Sequence, residues 1–387
     1  MSGGRVAPGA YSVHSPLEET FTEPCAPRAS AAASLLRVAQ LLAAAVFAAA
    51  GCGDSATTPA ATGENPSRQE EIRDLVGLGG YWAMARGIND FGRVVGEASV
   101  GGDKSRAFSW SELGGIRDLG TLGGSSSGAT AINKQSRIVG WSMTTAEVHR
   151  AFLMTAGQAA MQDLGTPPGG VASWASDIND NGMVVGHWGT AAGELRAFVW
   201  TQAEGMRDLA AMPGVRDVRA TGVNQGGQAV GFGRNATSGD FRALLWSPSG
   251  EARDIGMLSG ATESVAHAIN SNGHVVGVSR RGTGPDRAFR WTPEAGMRDV
   301  GVLAGMDWSR ANDVNDQGHV VGNSGRNGSA VGRAFLWTEA GGMRDLGTLP
   351  AADRTESGAF GVNWYGRSVG YSWNGATFRP VFFPPPR

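Results

Sequence analysis

Two stretches of the sequence space carboxylate and amide side chains as a calcium-binding loop does. Residues 177–182 read Asp-Ile-Asn-Asp-Asn-Gly, which matches the first half of an EF-hand loop. The twelfth position of that loop should be a bidentate glutamate but is Trp188, and the similar stretch 313–318 fails in the same way at Ser324. No helical periodicity flanks either stretch. Both stretches therefore indicate polar turns, and we expect no metal and no other cofactor.

Nucleophilic chemistry has one candidate, Ser126, in the Gly-x-Ser-x-Gly pattern of residues 124–128. That pattern forms a nucleophile elbow only between a strand and a helix, whereas here it lies in a glycine-rich segment between strand signals. His274 and His319 occupy the same slot of neighbouring repeats, which Arg, Met or Gln fills elsewhere. A solvent-facing slot explains both histidines, and we predict no catalytic residue.

The elements that carry these residues are seven tandem repeats of about 45 residues. Four motifs recur, namely Ile/Val-Asn, Val-Val-Gly, Arg-Ala-Phe-x-Trp and Arg-Asp-Leu, each with small changes. The asparagines are Asn89, Asn133, Asn179, Asn224, Asn270, Asn315 and Asn363. The aspartates are Asp74, Asp118, Asp163, Asp208, Asp254, Asp299 and Asp345, at spacings of 44 to 46 residues.

Each repeat contains four strand signals, here lettered A to D, that are separated by turn residues. Strand A ends at the asparagine, an Asn-x-x-Gly turn follows, and strands B, C and D carry the other three motifs in order. The chain enters on a D-type strand at residues 72–75 and exits on a C-type strand at 378–383. We therefore predict an all-β fold, a seven-bladed β-propeller of four-stranded antiparallel blades. The N-terminal D-type strand closes it by joining the last blade, which leaves no open edge.

The combined motif resembles the HAF repeat of bacterial extracellular proteins. The resemblance rests on Asp-Leu-Gly-Thr-Leu-Gly-Gly at 118–124, Ala-Ile-Asn at 131–133, and the following Val-Gly and Arg-Ala-Phe-Leu. It covers residues 71–387. The resemblance implies export and a propeller-like body, and it implies no catalytic residues.

Two features are predicted to be structural because they recur from blade to blade. The strand-C arginine and the strand-D aspartate lie nearly opposite each other on a hairpin, so we expect a cross-strand ion pair in every blade. Arg379 should meet Asp74 across the ring closure. Tryptophans at one strand-C position are predicted to pack between blades: Trp110, Trp200, Trp246, Trp291 and Trp337.

The segments just before each strand A vary most, and they converge on the central channel at the face of the D–A and B–C connections. Loops on a rigid scaffold usually carry function, and aromatic side chains mixed with charged groups in a concavity suit a sugar or peptide. Trp82, Trp174 and Trp308 lie outside the regular strand-C slot, and we expect Trp82 and Trp308 to flank one mouth. The predicted ligand-binding residues are Trp82, Arg86, Trp174, Arg219, His267, Asp307, Trp308 and Arg310.

The N-terminal region is predicted to export and anchor the protein. Residues 1–51 form a signal region, with an apolar core after Arg37 and an over-long extension before it. Ala-Ala-Gly-Cys at 49–52 resembles the bacterial lipobox, which makes Cys52 the lipid attachment site. An ordinary secretory signal or an internal apolar helix is the alternative. Residues 52–69 are small and polar and should form a flexible tether, so that the propeller spans 70–387.

The 33 basic and 35 acidic residues leave a formal charge of −2, which provides no large field for nucleic acid or an anionic membrane surface. The expected protein is an exported monomer, held at the cell envelope on the periplasmic or cell-surface side by its lipid alone. It should act as a non-catalytic binding module for a carbohydrate or protein. A propeller enzyme acting on glycans and a purely structural surface protein are the alternatives.

Overall fold

The computed structural model describes residues 71–282, 284–327, 332–351 and 355–385. These residues contain 28 strands, β1 to β28, and no helix. The strands form seven antiparallel sheets of four strands each. The predicted fold class is confirmed, because the chain is an all-β propeller with seven blades.

Each blade runs from an inner A strand to an outer D strand. The A strands are β2 (Ala83–Ile88), β6 (Gly123–Ile132), β10 (Gly170–Ile178), β14 (Val215–Val223), β18 (Glu263–Ile269), β22 (Trp308–Val314) and β26 (Ser357–Val362). The B strands are β3 (Val94–Gly101), β7 (Arg137–Thr144), β11 (Val184–Thr190), β15 (Ala229–Asn235), β19 (Val275–Arg280), β23 (Val320–Gly325) and β27 (Ser368–Trp373). The C strands are β4 (Lys104–Ser111), β8 (His149–Thr155), β12 (Leu195–Thr201), β16 (Phe241–Trp246), β20 (Arg287–Thr292), β24 (Gly332–Thr338) and β28 (Phe378–Phe383). The D strands are β5 (Gly115–Asp118), β9 (Gln162–Asp163), β13 (Gly205–Asp208), β17 (Ala252–Asp254), β21 (Gly296–Gly301), β25 (Gly342–Gly347) and β1 (Arg73–Asp74).

The ring closes as the sequence predicts. Blades 1 to 6 begin with β2, β6, β10, β14, β18 and β22, and blade 7 is completed by β1, which pairs with β28 through Arg73↔Phe382 and Asp74↔Val381. The Leu75 backbone N–H donates to the Pro380 carbonyl at 2.8 Å, and the Leu75 side chain is buried. The first strand therefore supplies the outer edge of the last blade.

The A–B turns explain the glycine of the Asn-x-x-Gly motif. The fourth turn residue has a positive φ, for example +73° at Gly92 and +82° at Gly182. Ser136 takes the same conformation, with φ +59°, in the one blade that lacks the glycine. A side chain with a Cβ is strained in this region.

The core lies between blades and is built from equivalent strand positions that hold large apolar side chains in each blade. The strand-C phenylalanines Phe108, Phe152, Phe198, Phe289 and Phe335 are fully buried. The glycine of the Val-Val-Gly motif leaves room for the phenylalanine ring. A Cβ at Gly96 would lie 2.0 Å from the Met84 carbonyl oxygen and 2.8 Å from the Phe108 ring. Trp110, Trp200, Trp246 and Trp291 are buried and Trp337 is half-buried, in agreement with their predicted packing role.

The cross-strand ion pair forms in five blades. Nitrogen–oxygen distances are 3.9 Å for Arg106–Asp118, 3.1 Å for Arg196–Asp208, 2.8 Å for Arg287–Asp299, 3.0 Å for Arg333–Asp345 and 3.1 Å for Arg379–Asp74.

The expectation of this pair in every blade is wrong for blades 2 and 4, whose arginines are both described. Arg150 Nη1 instead donates to the Val171 carbonyl at 2.7 Å, and Arg242 Nη1 lies 3.8 Å from Met257 Sδ. The aspartates keep a local role there, because Asp163 and Asp254 accept the backbone N–H two residues later at 2.8 and 2.7 Å.

Candidate ligand-binding site in the central channel

The A strands line the central channel, since each is the inner edge of its blade and contacts the A strands of its neighbours around the ring. The A–B turns surround one end of the channel, which we name the A–B end. The D–A and B–C connections surround the other end, which we name the D–A end. Three levels of side chains follow one another along the strands between these ends.

The level nearest the A–B end is a closed ring of the seven repeat asparagines, here called the ring asparagines. Each Nδ2 donates to the backbone carbonyl of the ring asparagine in the next blade, at 2.7 to 3.3 Å, and Asn363 returns to Asn89. Each Oδ1 accepts the backbone N–H four residues later in its own turn. These buried amides link the blades, so their repetition has a structural cause.

A β-bulge forms the next level, three residues before each ring asparagine, where the A–B register shifts in all seven blades. The bulge residues are Arg86, Thr130, Ser176, Thr221, His267, Asn312 and Phe360. Several of them bind the next blade; Thr130 Oγ1, for example, donates to the Ala175 carbonyl at 3.0 Å. Two predicted ligand-binding residues, Arg86 and His267, therefore lie at this level.

His267 and Arg86 both make contacts within the ring. His267 Nδ1 lies 2.6 Å from the Ala311 carbonyl of the next blade, and burial lowers its pKa to about 4. His267 is thus neutral at pH 7, with Nδ1–H as the donor. The Arg86 guanidinium lies 4.8 Å from the centre of the Phe360 ring in blade 7.

The third level consists of one cross-strand pair in each blade. It joins the residue five before the ring asparagine to the residue after the Val-Val-Gly glycine. The pairs are Met84↔Glu97, Gly128↔Trp141, Trp174↔His187, Arg219↔Phe232, Val265↔Val278, Arg310↔Asn323 and Gly358↔Tyr371. No two blades share a pair, although the flanking alanine and glycine are the same in every blade. We name this level the variable ring.

Aromatic rings form a continuous strip along blades 2 and 3 of the variable ring. The strip runs Trp141, His149, Trp174, His187, with successive ring centroids 5.2, 5.2 and 5.1 Å apart. Trp174 and His187 are stacked with an interplanar angle of 11°. All four rings are half-buried, so that part of each surface remains accessible.

Charged groups border the strip on both sides. Burial, with the Arg219 charge nearby, lowers the pKa of His187 to about 3, so the imidazole is neutral at pH 7. His187 Nδ1 is buried without a hydrogen-bond partner among the described residues. At the other side, a Cβ at Gly128 would lie 2.8 Å from Trp141 Nε1 and 3.0 Å from Glu97 Oε2. Glycine at this position leaves space for the indole and the carboxylate together.

Arg310 belongs to the variable ring, and Trp82, Asp307 and Trp308 lie nearer the rim of the D–A end. Trp308 Nε1 donates to the Arg326 carbonyl at 3.1 Å, and the Arg310 guanidinium lies 5.6 Å from the centre of the Trp308 ring. Arg310 also forms an ion pair with Asp286 of blade 5 at 2.7 Å. Exposed Asp307 accepts the Asn327 N–H at 2.8 Å.

Trp82 lies against β28, where it forms a bridge with Phe378 of blade 7. The structure therefore brings Trp308 and Arg310 together, and Trp174 and Arg219 flank His187. The expectation that Trp82 and Trp308 share one mouth stays a prediction.

Two carboxylates of the calcium-loop-like stretches are held by backbone groups. Asp177 accepts the N–H of Ile178 at 2.8 Å and of Val223 in the next blade at 2.9 Å. Asp313 makes the equivalent bonds to Val314 and Val362, both at 2.8 Å. Burial raises the pKa of Asp177 and raises that of Asp313 to about 7, with the Asp177 charge as a further contribution to Asp313.

The other residues considered for chemistry have structural contacts. Ser126 is buried, and its Oγ accepts the Ser105 N–H at 3.2 Å. His274 Nδ1 lies 3.2 Å from Arg290 Nη2, and His319 Nδ1 lies 3.2 Å from Asn315 Nδ2. In the described part of the chain, no group of three or more His, Cys, Asp or Glu side chains could hold a metal ion.

The signal region, the lipobox with Cys52 and the tether lie outside the described residues. Within the residues that the structure does describe, no helix is long and apolar enough to cross a membrane.

Solved structures with similar folds are propeller proteins of several kinds. Virginiamycin B lyase from Staphylococcus aureus is 10% identical, with a TM-score of 0.53 over 81% of this chain and 99% of that one. Oligogalacturonate lyase from Vibrio parahaemolyticus is 9% identical, with a TM-score of 0.55 over 83% and 95%. The β-propeller domain of the trilobed protease from Pyrococcus furiosus is 9% identical, with a TM-score of 0.50 over 78% and 95%.

That protease domain is described as an open velcro propeller, whereas β1 closes the ring here. No protein-family model matches the sequence, and no curated protein matches it. Fold and channel together define this chain as a seven-bladed β-propeller, closed by its N-terminal strand, with one variable ring at the D–A end.

The sequence contains a signal for the half of the variable ring that lies on strand B. The residue after the Val-Val-Gly glycine differs in every repeat: Glu97, Trp141, His187, Phe232, Val278, Asn323 and Tyr371. The glycine before this position is invariant, whereas the position itself holds a different residue in each repeat. Cross-strand register then pairs it with the varied strand-A position.

Proposed function

We propose that the protein is an exported, lipid-anchored, non-catalytic binding module of the cell envelope, and that the variable ring binds a carbohydrate. The observation that carries the proposal is the set of seven different cross-strand pairs in the variable ring, with the aromatic strip of blades 2 and 3 beside them. Packing alone would favour one solution repeated seven times, as the ring asparagines illustrate. In blades 1 to 3 the half-buried residues of this level differ from blade to blade and suit a ligand that contacts each of these blades differently.

The chemistry of blades 1 to 4 supports a carbohydrate over other small ligands. Trp141 and Trp174 offer indole faces that can pack against the apolar face of a sugar ring. Glu97 and Arg219 border the strip and can bind hydroxyl groups. His187 is neutral at pH 7 and can bind hydroxyls without an added charge. A few polar groups around aromatic surfaces are typical of small-molecule sites.

A glycan-array screen of the purified protein tests this proposal, with a pull-down from envelope extract in parallel. Trp174→Ala should weaken binding of any selected glycan, since stacking on one aromatic ring contributes about 0.5–1.5 kcal/mol. Trp364→Ala is the matched control, because Trp364 lies on the A–B turn of blade 7 at the opposite end. Selection of a protein and no glycan would refute the carbohydrate assignment.

The screen also tests the alternative of a propeller enzyme. Incubating each selected glycan with the protein and analysing it by mass spectrometry should return the glycan unchanged. A cleaved product would replace the binding module with an enzyme acting at the same ring.

The anchor is tested separately by Cys52→Ser. The variant should leave the membrane fraction, because a lipid on Cys52 is the proposed anchor. A Cys25→Ser variant is the control, and it should fractionate as the wild type does. Retention of the Cys52 variant in the membrane would exclude the lipobox interpretation.

A further inference from the structure

Exposed aromatic side chains gather at one place on the A–B end. Phe91, Trp364 and Tyr365 are 80, 44 and 63% exposed, and Tyr81 is the remaining exposed aromatic residue in the described chain. Phe91 lies on the A–B turn of blade 1, and Trp364 and Tyr365 lie on that of blade 7. The two turns are adjacent, since the Trp364 N–H donates to Asp90 Oδ1 at 2.9 Å. We name Phe91, Trp364 and Tyr365 the aromatic patch.

The repeat architecture does not require aromatic residues at these turns. The two residues after the ring asparagine are Lys-Gln, Asp-Asn, Gln-Gly, Ser-Asn and Asp-Gln in the five other blades. Those polar turns form the same backbone structure. Large exposed apolar side chains that the fold does not need are typical of interaction surfaces.

A cavity of about 170 Å³ opens at the channel axis beside the aromatic patch. Its deeper lining consists of aliphatic residues that precede the ring asparagines, including Ile88, Val314 and Val362. Its rim consists of residues that follow them, including Asp90, Asp316 and Trp364. The cavity is small for a drug-sized ligand, but one unbranched side chain would fit.

The rim is acidic where it borders Trp364. It carries three aspartates, Asp90, Asp180 and Asp316, against the single lysine Lys134. The Lys134 ammonium, in blade 2, lies 3.3 Å from Asp90 and 3.8 Å from Asp180, and Trp364, in blade 7, lies on the other side of Asp90. Asp316 accepts hydrogen bonds from the Ser271 N–H at 2.7 Å and the Ser271 hydroxyl at 3.0 Å. Trp364 thus lies between the turns of Asp316 and Asp90, one in each neighbouring blade.

We propose that the A–B end binds a protein partner through a lysine side chain inserted into this cavity. The butyl stem would lie against the aliphatic lining. The ammonium would lie near the Asp90 and Asp316 carboxylates and the Trp364 face. Phe91 and Tyr365 would pack against the surface around that lysine. Charge disfavours a second copy of this chain, since two such rims would repel each other.

A pentalysine peptide is the probe, titrated into the full-length protein and followed by calorimetry. Nε-acetylated pentalysine is the control peptide, since it keeps the stem and removes the charge. Pentalysine should bind and weaken as salt rises, and the acetylated peptide should not. Absence of pentalysine binding at millimolar concentration, or equal binding of the two peptides, would overturn the proposal.

Variants test whether pentalysine binds at this cavity. Phe91→Ser with Tyr365→Ser should weaken pentalysine binding several-fold without loss of fold, because both side chains are exposed. Trp364→Ala and Asp316→Asn should each weaken it by about 5- to 10-fold. Trp174→Ala, at the D–A end, should leave it unchanged. Selective binding of a neutral glycan that requires Trp364 would show a sugar site in place of a lysine site.

Discussion

The ring asparagines and the variable ring occupy two levels of the same channel and follow opposite rules. At the first level all seven blades use one residue, whose Nδ2 donates to the neighbouring blade and whose Oδ1 accepts from its own turn. In the variable ring the seven blades use seven different residue pairs on the same backbone. Because the repeats share one fold, uniform positions report what folding requires, and the varied pairs show that several side-chain combinations fit the same backbone.

The largest expected effect comes from opening the ring. Deleting residues 71–76 removes β1 and the buried Leu75 side chain and exposes the edge of β28. Unfolding free energy should fall by at least about 3 kcal/mol, from the lost leucine burial and the lost pairing. Urea denaturation measures the change. Deletion of 53–69 is the control, and equal midpoints for the two deletions would contradict the closure.

The next largest loss of stability is expected from a change in the ring asparagines. Asn179→Ala removes the 2.9 Å bond to the Asn224 carbonyl and the 3.0 Å bond from the Met183 N–H, both in a buried position. Leaving these backbone groups unpaired should cost about 2–4 kcal/mol of unfolding free energy. Chemical denaturation checks it. A loss below about 0.5 kcal/mol would mean that the asparagine ring does not stabilise the blades.

The buried aspartates give a pH dependence with a definite sign. The pKa of Asp313 is about 7 in the folded protein, above its ordinary value of 3.8, so its stabilising contribution is complete below pH 4 and is lost as pH rises through 7. Asp313→Asn removes this titration. The variant should therefore gain stability relative to wild type by roughly 2–4 kcal/mol between pH 4 and 8.

Denaturation of both proteins across that pH range measures this difference. His187 and His267, whose pKa values are about 3 and 4, destabilise the folded state in acid, but they are present in both proteins and cancel. Parallel stability curves would contradict the raised pKa of Asp313.

The smallest expected effect is at the one A–B turn without glycine. Ser136→Gly should stabilise the protein by about 0.5–1 kcal/mol, because serine is strained at φ +59°. Gly92→Ser is the reciprocal change, at φ +73° with no atom within 4 Å of the added Cβ, and it should destabilise by a similar amount. Thermal melts of both variants check the pair, and shifts of the same sign would refute the explanation.

The sequence predicts the fold well because the same strand and turn motifs recur in all seven repeats. Hairpin turns, the buried tryptophan slot and the ring closure by residues 72–75 all follow from periodicity and turn chemistry. The ion pair fails in blades 2 and 4 because motif spacing does not determine which acceptor an arginine reaches, as the Val171 carbonyl at Arg150 illustrates.

The levels within the channel could not be predicted from spacing alone. A β-bulge three residues before the ring asparagine separates Arg86 and His267 from Trp174 and Arg219, and no residue type marks the bulge. Contacts between blades, such as His149 against Trp174, join residues that no local pattern relates. Long-range register and neighbour packing therefore had to come from the three-dimensional structure.

The central claim is that the variable ring determines binding and does not determine folding, and one double variant tests it most directly. Trp174→Val with His187→Val gives blade 3 the pair that blade 5 already uses, Val265↔Val278. We measure two quantities on the same samples: the affinity for the glycan that the wild type selects, and the free energy of unfolding. We predict a cooperative fold with about 1–2 kcal/mol lower stability and at least about tenfold weaker binding. Undiminished binding, or unfolding as severe as that of Asn179→Ala, would contradict the account.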